Sequence, residues 1–324
     1  LEKAMAMPAK GKYMESLDLV IEEDEIFIEI DAAGNYTPEK HDKAIIIDAD
    51  TIAFAACSVC QYEAVDISPD REHAVYDESL GCFRDINIDE AVLHAKGKVE
   101  LILERIGGKK KNTELHFTMS RDNFRNQLLK EAFPNNPELW YKAHRSDREK
   151  KPPVGLSACK EQLAIHFKSF YWLNIEADDA VVERKYALKD NAILVCVDKD
   201  IYKNTPDFGQ PHWNYYEAPW LANPIAMKWI PMDEEEALYN LYMQAIIGDR
   251  SDNVPGLPGI GPKKAAAFLE LGMSEEELWE GVKAAYNKHC KYGDPEQMAI
   301  LNMRLVNMNQ TTDGEVSLWQ PMES

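Results

Sequence analysis

Ala44-Ile45-Ile46-Ile47-Asp48-Ala49-Asp50 is the stretch that decides the fold. A short, continuous apolar run without alternation fits a strand buried on both faces of a parallel sheet. The run stops on a carboxylate, Asp48, and a second acid, Asp50, lies two residues on. In open parallel sheets ligands bind beyond the carboxyl ends of strands, so this run predicts both a sheet and a place for chemistry.

Downstream, Leu115-His116-Phe117 and Ala192-Ile193-Leu194-Val195-Cys196-Val197 are further strand candidates, and the second ends on Asp198 with Asp200 two residues on. Helical stretches lie between them at Ile88 to Arg105 and Ala177 to Leu188. Strands alternating with helices predict an α/β fold, a mainly parallel twisted sheet covered on both faces. From Asp233 the pattern is mainly helical. We divide the chain into an acidic extension (1–42), an α/β domain (43–245) with an insertion near 134–155, and a helical subdomain (246–324). Within the extension, Ile26-Phe27-Ile28-Glu29-Ile30 predicts a strand.

Two more acid clusters accompany the strand ends. Glu176-Ala177-Asp178-Asp179 opens a helix, and Gly248-Asp249-Arg250-Ser251-Asp252 follows one. A single Asp is most simply a helix cap, and acids at a helix N-terminus complement its dipole. Four clusters, two of them ending apolar strands, call for cations, because converging carboxylates repel one another. Hard oxygen donors select Mg²⁺ or Mn²⁺ over zinc, and two such ions could clamp a phosphodiester for attack by water.

Asn253-Val254-Pro255-Gly256-Leu257-Pro258-Gly259-Ile260-Gly261-Pro262-Lys263-Lys264 reads as a tight glycine turn opening a helix. Glycines let backbone approach a phosphate, and a helix N-terminus supplies free N–H donors. This is a helix–hairpin–helix pattern for gripping a DNA backbone without reading sequence; the alternative is a plain structural turn. Tyr141-Lys142-Ala143-His144-Arg145 leads a basic stretch that runs to Lys151, with Arg121 and Arg125 upstream. It reads either as an exposed, charge-laced helix or as an electrostatic guide for frayed DNA, with Tyr141 free to stack on a base.

The bulk numbers set bounds. The chain has 324 residues, 45% of them hydrophobic, an ordinary globular value that excludes a disordered protein. No apolar run reaches the length of a membrane span, so a soluble, cytoplasmic protein is expected. The net charge of −20 opposes nucleic-acid binding, but cations bound at the acid clusters would reverse the local field. Cys57 and Cys60 have the spacing of half a zinc site with no second Cys/His pair following; they read as reduced, structural thiols on a buried helix face.

Taken together, Ile47-Asp48-Ala49-Asp50, Tyr141 to Arg145, Glu176 to Asp179, Asp198-Lys199-Asp200 and Gly248 to Asp252 with its glycine hairpin resemble the 5′-nuclease superfamily, which includes flap endonucleases and phage 5′→3′ exonucleases. The resemblance spans roughly Lys43 to Ala267. Lys150 to Gly155 and Leu318-Trp319-Gln320-Pro321 look closer to exonucleases of short-tailed phages, implying a role in phage DNA replication or degradation.

The resemblance implies two Mg²⁺ ions, with Mn²⁺ substituting. Asp48, Glu176 and Asp178 match the first metal group, Asp179 lies between the groups, and Asp198, Asp200, Asp249 and Asp252 match the second. It further implies Lys142 and Arg145 at the scissile phosphate, at the base of a helical arch, and Arg125 in the segment leading there. Arg125, Tyr141, Gly256, Gly259, Gly261, Lys263 and Lys264 are the expected DNA contacts, with K⁺ a candidate at the hairpin. The implied substrate is DNA with free 5′ ends or flaps, with RNA primers a further candidate.

One position departs from the pattern. The family has an Asp directly after the strand that here ends in Phe117, and this chain has Thr118, with Asp122 four residues on. A weaker or water-bridged first metal site follows, and with it the alternative of a branched-DNA binding protein impaired in catalysis. A PIN-type ribonuclease shares the acidic core but has no need of the glycine hairpin.

Overall fold

The computed structural model describes residues 41–65, 72–120, 122–147, 151–206, 212–214, 228–230 and 233–321. The strand expected at Ile26 to Ile30, the rest of the acidic extension to 40, and Arg121 lie outside these residues.

The first half of the chain forms β1 (Ala44–Asp48), α1 (Asp50–Cys60), β2 (Gln61–Ala64), β3 (Val75–Asp77), β4 (Cys82–Ile86), α2 (Ile88–Ile106), β5 (Thr113–Thr118), α3 (Phe124–Ala132), α4 (Leu156–Leu163) and β6 (Lys168–Trp172). The second half forms α5 (Ala177–Leu188), β7 (Ala192–Cys196), α6 (Lys199–Lys203), β8 (His212–Asn214), β9 (Lys228–Ile230), α7 (Glu234–Ile247), α8 (Pro262–Ala265), α9 (Glu275–His289), α10 (Pro295–Val306), β10 (Thr311–Thr312) and β11 (Glu315–Val316).

The main sheet runs β6-β5-β1-β7-β8-β9 and is parallel except for the edge strand β9. β1 sits inside it because Ile45, Ile46 and Ile47 are all fully out of solvent, each burial worth about 1.5–3 kcal/mol. Their side chains alternate between two cores. Ile45 and Ile47 pack with residues of α1, α2 and α4 on one face, and Ile46 packs with Val181, Val182 and Ile201 on the other. The α/β architecture with helices flanking a parallel sheet therefore follows from the opening run.

α2 matches its expected span, capped by the Asn87 side chain at its start and ended by Gly107 at φ 72°. The three-stranded antiparallel sheet β2-β4-β3 is not predicted by the sequence pattern: strands this short carry little alternation. Beyond Asp233, the cap of α7, the chain is helical as read, with α7, α9 and α10 sharing a second core around Tyr242, Trp279 and Tyr286.

The segment near 134–155 differs from the expectation of a helical arch. Its described residues form two 3₁₀ turns, Pro137–Leu139 and Ala143–Asp147, and no α-helix. Pro137 disfavours helix at the residue before it, and Lys142 takes a left-handed backbone at φ 53°. Lys142 and Arg145 therefore do not share a face of one helix.

Candidate active site

Because β1 and β7 are parallel neighbours in register, their carboxyl ends deliver Asp48 and Asp198 to one edge. Each also has a local role: Asp48 Oδ1 accepts the Asp50 amide at 3.2 Å, and Asp198 caps α6 by accepting the Asp200 amide at 2.8 Å. Glu176 is the N-cap of α5, in a reciprocal capping box with Asp179. Asp249 and Asp252 are set by the turn after α7, where Asp249 and Val254 exchange backbone hydrogen bonds at 3.1 and 2.7 Å. That turn requires glycine. A Cβ on Gly256 would lie 2.4 Å from backbone atoms of Ile247 and Gly248, and one on Gly248 would lie 2.3 Å from the Val254 oxygen.

The acids then act on one another. Burial, reinforced by Asp50, pushes Asp48 up to about 8, and burial with Asp198 pushes Asp200 up to about 7. Burial, with the charges of Glu176 and Asp48, drives Asp178 well above the carboxylate range, and burial raises Asp198 as well. Two acids move the other way. Burial would raise Glu176, but Lys142 and Arg125 hold it low; burial would raise Asp249, but hydrogen bonds from Ser251 hold it low. The Gln244 amide bridges the second group, donating to Asp200 at 3.3 Å and Asp249 at 3.2 Å. Crowded oxygen donors that resist ionisation are a fit for divalent cations, whose charge removes the penalty. The acids line a cleft rather than closing on one point. Among the described residues, the three-residue Cys/His/Asp/Glu set with ligand atoms all within 4.8 Å of one another is Cys60, Glu90 and His94, at the far end of α1.

Lys142 and Arg145 are brought to the acids. The Lys142 ammonium pairs with Glu176 and lies 3.4 Å from Asp252, and Arg145 donates to Asp252 at 2.6 Å. The Lys142 amide donates to the Asp252 carbonyl at 2.9 Å, which fixes the segment against the turn.

Two expectations are corrected by geometry. Tyr141, expected to stack on a base, is buried at 6% exposure, with its hydroxyl 2.7 Å from both Glu176 and Asp252. Its ring faces the helical core with Leu129 and Leu257. Arg125, expected to touch DNA, is buried at 3% exposure. It grips Asp179 with two hydrogen bonds and donates to the carbonyls of Leu305 and Asn307 at 2.9 and 3.2 Å. Asp179 thereby differs from the other acids, its oxygens committed to Arg125 rather than open to a cation.

Thr118 stands at the departure from the family pattern, and its surroundings show what replaces the acid. Its hydroxyl accepts the Ala177 amide at 2.8 Å, and its own amide donates to Asp50 at 3.2 Å. Lys160, from α4 and buried at 6% exposure, places its ammonium 2.6 Å from Asp50 and donates to the Thr118 carbonyl at 2.7 Å. Asp122, four residues on, is exposed and pairs with Lys130 at 2.8 Å. A lysine thus enters this corner where an acid was expected. Sequence reasoning missed Lys160 and Gln244 as site residues, because both depend on tertiary contacts; Asp50 was marked by its spacing from Asp48 but assigned to neither metal group.

At the hairpin, Gly256 is buried, its amide donating to Asn302 at 2.9 Å, whereas Gly259, Gly261, Lys263 and Lys264 are exposed at the tip. Lys264 donates to the Gly259 carbonyl at 2.9 Å.

No family model matches the chain. Curated relatives do. The flap endonuclease Xni of Shewanella halifaxensis is 26% identical over 185 residues, 56% of this chain and 71% of the relative. The flap endonuclease Xni of Shewanella pealeana is 27% identical over 185 residues, 56% of this chain and 70% of the relative. Among solved structures, the T5 D15 protein co-crystallised with metal ions superposes with a TM-score of 0.49 at 15% identity, over 82% of this chain and 89% of that one.

Proposed function

We propose that the chain, which is similar to flap endonucleases over 185 residues, is a metal-dependent 5′→3′ exonuclease and flap endonuclease of the 5′-nuclease superfamily that hydrolyses DNA phosphodiesters near free 5′ ends. The observation that carries this reading is the meeting of Asp48, Asp178, Asp198 and Asp200 at one sheet edge with their carboxyls pushed above the usual range.

Asp48, Glu176 and Asp178 would hold one Mg²⁺ or Mn²⁺ ion, and Asp198, Asp200, Asp249 and Asp252 the second. Cations bound there would supply charge neutralisation and a more acidic water. The chain's own residues do the rest. Lys142 and Arg145, paired with Glu176 and Asp252, can exchange those partners for phosphate oxygens and stabilise the charge that builds on phosphorus. The exposed tip Gly259, Gly261, Lys263 and Lys264 would hold the DNA backbone, with K⁺ a candidate ligand of the hairpin carbonyls. In this reading the 43–245 region carries the chemistry, the segment near 134–155 borders the 5′ end as an arch, and 246–324 grips duplex.

A second reading has one observation in its favour. Lys160 beside Asp50 and Thr118 places a positive charge near the first metal group, which favours a branched-DNA binder of low activity. Incubation of a 5′-labelled flap duplex with and without Mg²⁺ separates the two. Cleavage that needs Mg²⁺ supports the nuclease; tight binding without cleavage at any Mg²⁺ concentration supports the binder.

A further inference from the structure

Of the two cysteines spaced like half a zinc site, Cys60 meets a glutamate and a histidine on another helix. Cys60 ends α1 at 8% exposure, while Glu90 and His94 stand one turn apart on the exposed side of α2. One ligand atom from each, the thiol sulfur, a carboxylate oxygen and an imidazole nitrogen, lies within 4.8 Å of the other two. Residues four apart on a helix share a face, so Glu90 and His94 form a two-armed clamp that Cys60 closes from the neighbouring helix.

The backbone holds this arrangement. The Asn87 amide donates to the Cys60 carbonyl at 3.5 Å, Gln61 pairs with Ile86 in the adjoining sheet, and the Asn87 side chain accepts the Glu90 amide at 3.2 Å. The end of α1 and the start of α2 are therefore fixed relative to each other before any ligand binds. Among the described residues, no hydrogen bond or ion pair engages the side chain of Glu90 or His94. Both arms are free to turn inward, and tetrahedral Zn²⁺ needs its ligand atoms about 3.5 Å apart.

We propose that Cys60, Glu90 and His94 form a second, separate metal site for a thiophilic divalent cation, Zn²⁺ by its chemistry, that ties α1 to α2. The donor set is the opposite of the carboxylate cleft: a thiolate and an imidazole favour zinc, all-oxygen donors favour magnesium. The site is also distant, because α1 runs from Asp50 beside the cleft to Cys60, about 15 Å at the helical rise. Burial and the Glu90 charge keep the thiol protonated in the absence of a cation. Binding therefore forms a sulfur–metal bond, breaks S–H, and releases that proton to solvent. With Glu90 and His94 exposed, the fourth position is open to water.

The test uses the whole reduced protein with saturating Mg²⁺, so that the carboxylate cleft is filled, and titrates Co²⁺ as a spectroscopic stand-in for Zn²⁺. A thiolate–cobalt charge-transfer band in the near ultraviolet reports sulfur ligation, which the cleft cannot give. One equivalent should produce the band, Cys60→Ser should abolish it, and excess Zn²⁺ should displace it. His94→Ala and Glu90→Gln, both exposed positions that spare the fold, should each weaken Co²⁺ affinity at least tenfold. No band in the wild type, a full band in Cys60→Ser, or unchanged affinity in His94→Ala would each overturn the proposal.

Discussion

Arg125 and Asp179 meet through two parallel hydrogen bonds of 2.6 Å each, with Asp179 wholly out of solvent. Both charges are thus balanced within the interior, and the same guanidinium reaches the carbonyls of Leu305, in the last turn of α10, and Asn307, just after it. This pair joins α3, α5 and the end of the helical subdomain. Removing one partner leaves an uncompensated buried charge, which costs about 3–5 kcal/mol. Asp179→Asn and Arg125→Ala should each lower the melting midpoint by many degrees in calorimetry, with or without Mg²⁺. A variant of either residue that melts like the wild type and loses only metal or DNA affinity would return that residue to the binding surface.

Lys142 and Arg145 should act on turnover more than on binding. Charge-stabilising donors of this kind are worth roughly 3–4 kcal/mol, or about 10²–10³ in rate. Lys142→Ala is expected to lose that much in single-turnover cleavage at saturating enzyme. Arg145→Lys should also be poor, because a lysine cannot give two parallel hydrogen bonds to a phosphate. Wild-type rates once bound would reduce both residues to partners of Glu176 and Asp252.

The hairpin tip makes a prediction about salt. Lys263 and Lys264 are exposed beside Gly259 and Gly261, and phosphate contacts carry no sequence information. Replacing both with Ala should weaken binding to all duplexes alike and flatten the slope of log affinity against log salt by about 1–2 units. An unchanged slope would place the hairpin away from DNA.

Stability against acid should depend on Glu114. It is buried at 2% exposure, and Arg184 holds it at 3.0 and 3.1 Å, with Lys168 at 2.9 Å. Burial would raise its pKa, but His116, whose Nε2 lies 3.8 Å away, and hydrogen bonds from Arg184 and Lys168 together pull it well below the usual value of 4.5. A depressed folded-state pKa means that the unfolded chain binds the proton first. The stabilisation is therefore fully present above about pH 4.5 and is lost as pH falls toward the lower folded value. Glu114→Gln should be less stable than the wild type at pH 7, and the gap should narrow below pH 4.5. A gap that is constant with pH in urea melts would refute this account.

The carboxylate edge was legible because its signals are local. An apolar run that ends on Asp48, and another that ends on Asp198, each place an acid at the carboxyl end of a parallel strand without any knowledge of tertiary contacts. Glu176 and Asp249 were legible as helix-boundary acids for the same reason. What escaped depends on distant partners. Lys160 meets Asp50 from 110 positions away, Gln244 reaches Asp200 across the sheet edge, and Cys60 finds Glu90 and His94 only because α1 and α2 pack together. Side-chain direction escaped too: Tyr141 and Arg125 sit in basic, surface-like sequence, yet both turn inward to carboxylates. The helical arch was an implication of the family resemblance, and in this chain Pro137 with the left-handed Lys142 redirects that backbone into 3₁₀ turns.

The central claim is that the converging acids are catalytic, and Asp198→Asn tests it most directly. The substitution keeps the size and the capping oxygen of Asp198, which accepts the Asp200 amide, while removing one charge from the proposed second metal group. The measurement is the single-turnover cleavage rate of a 5′-flap duplex at saturating Mg²⁺, with far-UV circular dichroism and flap affinity read on the same sample. The account predicts a rate lower by about 10³ or more, a shift of roughly 4 kcal/mol in barrier, with an unchanged spectrum and near-normal binding. Cleavage at the wild-type rate would contradict it.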